Sequence, residues 1–342
     1  MKTSKKLMRI CLLITTILIA LPLWGRDWVK DPPWVEIPSA AKIAAVGDIH
    51  GAFAEFAASL ESLGVAQRKS AESFDLEWTG GTTVLVFTGD YGDRGVNTKE
   101  VYDAVMDLET QASKAGGLVI PLLGNHEVLL LNGTVEMWAN TLKPPKKQHY
   151  QNTIDSFTKA GLDFHQAISP SGKYGSWIRR RPLFAIVDEF LFVHAGFPQP
   201  PDTRSNIAAD YREAIDEEQW SGKFLMNEKG VLWNRNWWDD NELVNKNLQA
   251  FGIRGVVFGH SPSEFGEKGY INTKDNRLVC IDIGMTPVFA QSHGGGLMIT
   301  LQPSGKLLFR ARYPDKPETI LFQLDPGVSD TTEELPNSAV GR

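Results

Sequence analysis

The sequence predicts an α/β protein: two packed mixed β-sheets flanked by helices, with a cap inserted between strands. Three observations predict it. Short apolar runs alternate with helical patterns in the order βαβαβ over residues 42–123, and most of the periodic segments after residue 182 read as strands. Between these two parts lies an aromatic-rich stretch, residues 132–181, that belongs to neither.

Taken in order, residues 1–25 hold Lys2, Lys5, Lys6 and Arg9 and no acid, followed by an apolar run of about 14 residues ending at Leu23. A membrane-spanning helix needs about 20 residues, so the run predicts a secretory signal peptide, with an uncleaved anchor as the alternative. The expected protein is periplasmic or secreted, with no stable membrane association once the signal is cleaved. Of the two cysteines, Cys11 falls inside the signal, leaving Cys280 without an internal disulfide partner.

Residues 26–41 contain Trp28, Pro32, Pro33, Trp34 and Pro38 and predict an extended leader. The catalytic domain is expected over 42–313. Strands are predicted at 42–46, 83–88 and 118–123, with helices at 52–63 and from Asn97 or Thr98 to about Lys114. The cap, 132–181, holds Trp138, Tyr150, Phe157, Phe164, Tyr174 and Trp177. Residues 183–187 and 191–193 predict a hairpin around Asp188 and Glu189. A helix is expected from Asn206 to about Trp220, then strands at 254–258, 278–283, 296–301 and 307–312. Residues 314–342 read as a C-terminal extension, a loose tail from about 325 where Pro, Ser, Thr and acids dominate.

Composition narrows the function. With 42% hydrophobic and 22% charged residues among 342, the chain is neither disordered nor fibrous. Its formal charge of −6 becomes −10 without the four cations of the signal, which excludes electrostatic binding of nucleic acid or anionic lipid. A monomer is the simplest expectation.

Chemistry sits at the strand ends. Gly47-Asp48-Ile49-His50-Gly51 follows the first apolar run, and Gly89-Asp90-Tyr91-Gly92-Asp93-Arg94-Gly95 the second. Gly124-Asn125-His126-Glu127, His194-Ala195-Gly196 and Gly259-His260 follow three others. In open α/β sheets, ligands bind at the carboxyl edge of the strands. Four of the seven histidines lie there, a coincidence that simple turns do not explain. Asp48 and His50 can face one metal and Asn125, His194 and His260 a second, with Asp90 bridging both through its two oxygens. Mixed oxygen and nitrogen donors suit Mn, Fe or Zn better than Ca. Two such divalent ions, about 3.5–4 Å apart, would hold a hydroxide and clamp a phosphoryl group, and Arg94 can grip phosphate bidentately. His149, His165 and His293 lack this setting and read as surface or satisfied histidines.

These five motifs, in this order, resemble the phosphoprotein phosphatase family of calcineurin-like metallophosphatases over residues 43–300. The long insertion and Leu232-Trp233-Asn234-Arg235 resemble its bacterial Shewanella-like branch. The resemblance implies an α/β/β/α metallophosphatase sandwich that hydrolyses phosphomonoesters without a phosphoenzyme. It places Asp48, His50 and Asp90 on one metal, and Asp90, Asn125, His194 and His260 on the other. It makes Arg94 a phosphate ligand and His126 the general acid, oriented by Asp93. Arg235 is the candidate second phosphate-binding arginine, or else a structural salt bridge.

Departures from the family bear on substrate. The eukaryotic enzymes carry a Ser-Ala-Pro-Asn-Tyr loop where this chain reads Cys280-Ile281-Asp282-Ile283-Gly284-Met285, and they lack the cap. The cap's aromatic residues either wall a deeper pocket for aryl phosphates, phosphotyrosine foremost, or form the cap's own core. Serine/threonine or broad specificity and dinucleoside polyphosphate hydrolysis are the alternatives, and a non-enzymatic phosphate-binding module would not need His126 and Asp93. Cysteine-based catalysis is set aside, because Thr286 stands where that mechanism needs an arginine, and Cys280 reads as core.

Overall fold

The computed structural model describes residues 26–289 and 292–326. The expected signal, 1–25, and the tail beyond 326 lie outside the described residues. β1 (Trp34–Ile37) and β2 (Lys42–Val46) lead to α1 (Phe53–Leu63) and a small hairpin of β3 (Ala66–Arg68) and β4 (Leu76–Trp78). Then come β5 (Val84–Phe87), α2 (Thr98–Lys114) and β6 (Leu118–Pro121). Five short helices follow: α3 (Asn125–Leu131), α4 (Thr134–Thr141), α5 (Lys146–Lys159), α6 (Phe164–Ile168) and α7 (Lys173–Ile178). β7 (Phe184–Val187), β8 (Phe190–Val193), α8 (Arg204–Asp216), α9 (Asn241–Phe251) and β9 (Gly255–Phe258) come next. The chain closes with β10 (Asn272–Lys274), β11 (Leu278–Cys280), β12 (Gly296–Leu301), β13 (Leu307–Tyr313) and β14 (Lys316–Leu324).

The strands form two six-stranded mixed sheets, ordered β1-β7-β8-β9-β11-β10 and β14-β13-β12-β2-β5-β6. They pack face to face, with Phe190 of β8 meeting Phe309 of β13 at a ring distance of 4.9 Å. Helices α1 and α2 cover one outer face. On the other, Phe251 of α9 packs on Phe184 of β7 at 5.9 Å. This is the expected two-sheet sandwich. β5, β7, β8 and β9 are buried throughout, which is why their sequences are continuous apolar runs rather than alternating ones. Asp188 and Glu189 both adopt left-handed φ, 49° and 66°, the turn whose twist matches a two-residue hairpin between β7 and β8.

Five expectations need correction. The leader is extended but not separate: β1 pairs in parallel with β7, and Trp34 stacks on Phe184 at 5.7 Å. The prolines flanking β1 mark a sheet edge, where a missing N–H costs little. The domain does not stop at residue 313, because β14 pairs antiparallel with β13 and Phe322 stacks on Phe309 at 4.2 Å. The charged start of β14, Lys-Pro-Glu-Thr, disguised an edge strand, and such residues are how edges avoid further pairing. β11 ends at Cys280 rather than residue 283, since the chain turns away through Gly284 at φ 64°. Finally, α8 starts earlier than Asn206, with the Thr203 hydroxyl accepting the Asn206 N–H, and no side chain caps α2.

Candidate metal centre

The strands β2, β5 and β6 run parallel in one sheet, and β8, β9 and β11 run parallel in the other. The loops after all six meet at one end of the sandwich, around a cavity of about 730 Å³. Asp48, Asp90, Arg94, Asn125, His126, Arg235 and His260 line it. His50, Asp93 and His194 stand buried behind them, so all ten sequence-predicted site residues come together. His149, His165 and His293 are outside the cavity lining.

Tight turns make this possible. His50, Asp90, Asp93, Arg94 and His260 all adopt left-handed φ between 49° and 68°, a conformation costing about 1 kcal/mol or more for a side chain other than glycine. Gly89, at φ 98°, lets the β5 and β6 loops touch: a Cβ there would lie 2.5 Å from the Gly124 backbone.

Three imidazoles are oriented from behind by backbone carbonyls, which can only accept. His50 Nδ1 donates to Gly92 O at 2.8 Å, His194 Nδ1 to Thr88 O at 2.8 Å, and His260 Nε2 to Trp233 O at 3.1 Å. Each leaves its other nitrogen as a lone pair facing inward, that of His50 met by the Arg94 guanidinium. His50 Nε2 stands 3.5 Å from Asp90 Oδ2, and His194 Nε2 stands 3.4 Å from Asp90 Oδ1. Each Asp90 oxygen therefore faces a different histidine, the arrangement of a bridging carboxylate. Asn125 turns its Oδ1 to His194 Nε2 at 2.7 Å and to His260 Nδ1 at 3.1 Å. Lone pairs facing one another in this way are repulsive unless a cation lies among them; without one, the amide nitrogen is better turned in. The donor set fits divalent metal.

The electrostatics agree. Burial holds the three imidazoles below their ordinary range, with Arg94 adding to the effect on His50, and His194 and Arg235 adding to it on His260, which falls to about 2. Neutral imidazole is the ligating form. Burial opposes ionisation of Asp90, but the surrounding His194, His126 and His50 outweigh it and hold the carboxyl below the usual range.

His126 differs from the other three. Its Nδ1 donates to a carboxylate, Asp93 Oδ2, at 2.7 Å, and its Nε2 faces the cavity. Burial alone would lower its pKa, yet Asp90 and Asp93 outweigh burial and raise it. Arg94 donates to His50 Nε2 and reaches within 3.4 Å of His126 Nε2. Arg235 donates to Ser261 Oγ at 3.2 Å, and it makes no ion pair among the described residues.

Sequence reading missed two buried carboxylates. Glu127 receives the N–H groups of Asp90, Tyr91 and Gly124 and the Tyr102 hydroxyl, bracing the β5 loop against α3. Asp282, after β11, abuts Asp48; burial and then this neighbour and Asp90 push Asp48 well up, and burial lifts Asp282 to about 6. The signal for Asp282 was present, since it too is an acid after an apolar run and before a glycine. The cap's aromatics divide. Trp138 and Tyr150 line the cavity, their rings 4.8 Å apart, whereas Phe157, Phe164, Tyr174 and Trp177 are buried. Trp177 packs on Tyr91 and Tyr102 at 5.5 and 5.8 Å, seating the cap. Cys280 Sγ lies 3.1 Å from Ser261 O, and burial, with Asp282, raises its pKa far above that of a reactive thiol.

Two sheets, six convergent strand ends and a donor set for metal define a metallophosphatase, and residues 41–264 match the calcineurin-like phosphoesterase family; the chain belongs to it. Its relatives include an uncharacterised protein of Schizosaccharomyces pombe, 43% identical over 296 residues that cover 78% of this chain and 82% of that one. Shewanella-like protein phosphatase 2 of Arabidopsis thaliana is 23% identical over 298 residues, covering 72% and 71% of the two chains. Among solved structures, the cold-active protein-tyrosine phosphatase of a psychrophilic Shewanella superposes with a TM-score of 0.66 at 22% identity, over 87% of this chain and 85% of that one. That likeness establishes a common fold.

Proposed function

We propose that this chain is a metal-dependent phosphomonoesterase acting on phosphorylated proteins or peptides, with a preference for phosphotyrosine and other aryl phosphates. The observation that carries the preference is the pair Trp138 and Tyr150 at the wall of the cavity that Arg94, Trp233 and Phe289 also line. Aromatic faces favour an aryl leaving group by stacking, and phosphoserine offers them nothing equivalent. The similarity to a protein-tyrosine phosphatase fold is compatible with this reading.

In the proposed reaction Asp48, His50 and Asp90 would hold one divalent ion, and Asp90, Asn125, His194 and His260 would hold another. When bound, Mn, Fe or Zn ions supply Lewis acidity and an activated water at this position. Arg94 and Arg235 hold phosphoryl oxygens through their guanidinium forks. His126, locked in one tautomer by Asp93, protonates the departing oxygen from Nε2. No serine, cysteine or threonine takes part as nucleophile, so no phosphoenzyme forms. We also propose export to the periplasm or medium on the strength of residues 1–25, which cell fractionation tests.

The test is phosphate release from matched phosphotyrosine and phosphoserine peptides, with manganese and with chelator. Release that requires metal and favours phosphotyrosine supports the proposal. Equal rates on the two peptides overturn the preference, and metal-independent release overturns the mechanism. Turnover of a dinucleoside polyphosphate alone would move the chain to the nucleotide-hydrolysing alternative.

A further inference from the structure

We propose that Thr153, on α5 of the inserted cap, is a positioning residue for the proton donor, so that the cap is built into the catalytic loop as well as roofing the cavity. The inference rests on the reading of His126 as the general acid. Asp93 divides its carboxylate between two partners. Oδ2 accepts from His126 Nδ1 at 2.7 Å, and Oδ1 accepts from the Thr153 hydroxyl at 2.8 Å. The same hydroxyl oxygen accepts the Asp93 backbone N–H at 3.1 Å, so Thr153 grips Asp93 at both ends. Thr153, Asp93 and His126 are all buried, and no bulk water is placed to substitute for the hydroxyl.

Thr153 belongs to a polar stripe. His149, Asn152, Thr153 and Ser156 stand at positions i, i+3, i+4 and i+7 of α5, one face of the helix. A helical face turned inward is ordinarily apolar; this one instead meets the backbone of residues 93–99. The His149 carbonyl accepts the Arg94 N–H at 2.9 Å, Asn152 Nδ2 donates to the Arg94 carbonyl at 2.9 Å, and Ser156 Oγ accepts the Lys99 N–H at 3.2 Å. A mid-helix threonine commonly bonds back to the carbonyl four residues earlier. Here that carbonyl is His149's, which accepts from Arg94, while the Thr153 hydroxyl turns to Asp93. Asp93 and Arg94 are consecutive residues with left-handed φ, 67° and 68°, a conformation that persists only where surrounding contacts impose it. The contacts from α5 are among those that impose it. Thus the helix sets both the proton-donor dyad and the phosphate-facing arginine.

A proton donor matters most when the leaving group is basic. 2,4-Dinitrophenolate departs without a proton, whereas phenolate is a far poorer leaving group and needs one. Removing the Thr153 hydroxyl frees Asp93 to rotate and misdirects His126. The metal-loaded Thr153→Val protein, in which a methyl replaces the hydroxyl, is therefore expected to lose about tenfold or more in kcat on phenyl phosphate and at most about twofold on 2,4-dinitrophenyl phosphate. Thr153→Ser, which keeps the hydroxyl, restores phenyl phosphate turnover, and bound metal per chain is the same in all three proteins. Thr153→Ala carries the same expectation should the valine variant fail to fold.

Equal loss on both substrates, or no loss on phenyl phosphate, overturns the assignment, because a merely structural residue has no means of sensing the leaving group. His126→Asn is run alongside. If it shows the steep leaving-group dependence and the Thr153 variants do not, only the role of Thr153 falls. If His126→Asn loses both substrates equally, the reading of His126 as general acid falls with it.

Discussion

Replacing Glu127 by glutamine and by alanine is a graded test of how the β5 loop is held. Glu127 is fully buried, and its two oxygens accept four hydrogen bonds. Oε2 takes the N–H groups of Asp90 at 2.9 Å and Gly124 at 3.1 Å; Oε1 takes Tyr91 N–H and the Tyr102 hydroxyl, both at 3.0 Å. Glutamine can keep its oxygen at the Oε2 position and donate its nitrogen to the Tyr102 oxygen. Tyr91 N–H is then the one backbone donor left without a partner, a loss of about 1–3 kcal/mol. Alanine abandons all four donors and leaves a cavity, a loss of about 4–8 kcal/mol even where water enters. Against a net stability of about 5–15 kcal/mol, the first variant folds with a lowered Tm and the second is marginal. Because Asp90 keeps its N–H partner in Glu127→Gln, that protein should still bind metal. Glu127→Ala should lose metal in proportion to its unfolding. Circular dichroism melts and metal content by mass spectrometry read the two quantities. Equal destabilisation by the two substitutions, or full metal content in the alanine protein, would refute the reasoning.

Metal affinity should fall as pH falls through the acid range, because the cation displaces a proton from the Asp48–Asp282 pair, both of whose carboxyls are raised by burial. The three ligand imidazoles, all lowered by burial, should contribute little to this dependence; a slope of three or more protons in a manganese titration between pH 5 and 8 would contradict it. Trp138→Ala should cut kcat/KM on phosphotyrosine about three- to tenfold relative to phosphoserine with Tm little changed, whereas Trp177→Ala should cost about 3–5 kcal/mol and spare selectivity. Phe322→Ala, removing the ring stacked on Phe309, should cost about 3 kcal/mol in a denaturant melt. An unaltered midpoint would show that β14 contributes nothing to the core. Cys280→Ser should keep its activity, and an alkylating agent should not inactivate the folded protein.

Much of the site is legible in the sequence because strand-end loops obey local rules. An apolar run followed by Gly-Asp-x-His or Gly-Asn-His specifies a strand, a sharp turn and a donor at the turn, whatever the rest of the chain does. The same grammar would have reached Asp282. Glu127 was visible as a letter of its motif, but three of its four partners, Asp90, Tyr91 and Tyr102, lie on other segments, and only their convergence makes it a brace.

The sequence by itself determined the two-sheet α/β architecture, the succession of its central strands along the chain and which polar residues stand at their carboxyl ends, since each depends on periodicity or on a few adjacent residues. Tertiary structure alone decided that residues 34–37 and 316–324 are edge strands, because a short or charged edge takes its conformation from the strand it pairs with. It alone separated Trp138 and Tyr150, at the cavity, from Trp177, in the core, since both classes are aromatic residues of one insertion. And it alone joined Thr153 to Asp93, 60 residues apart in the chain, through a contact that no local pattern encodes.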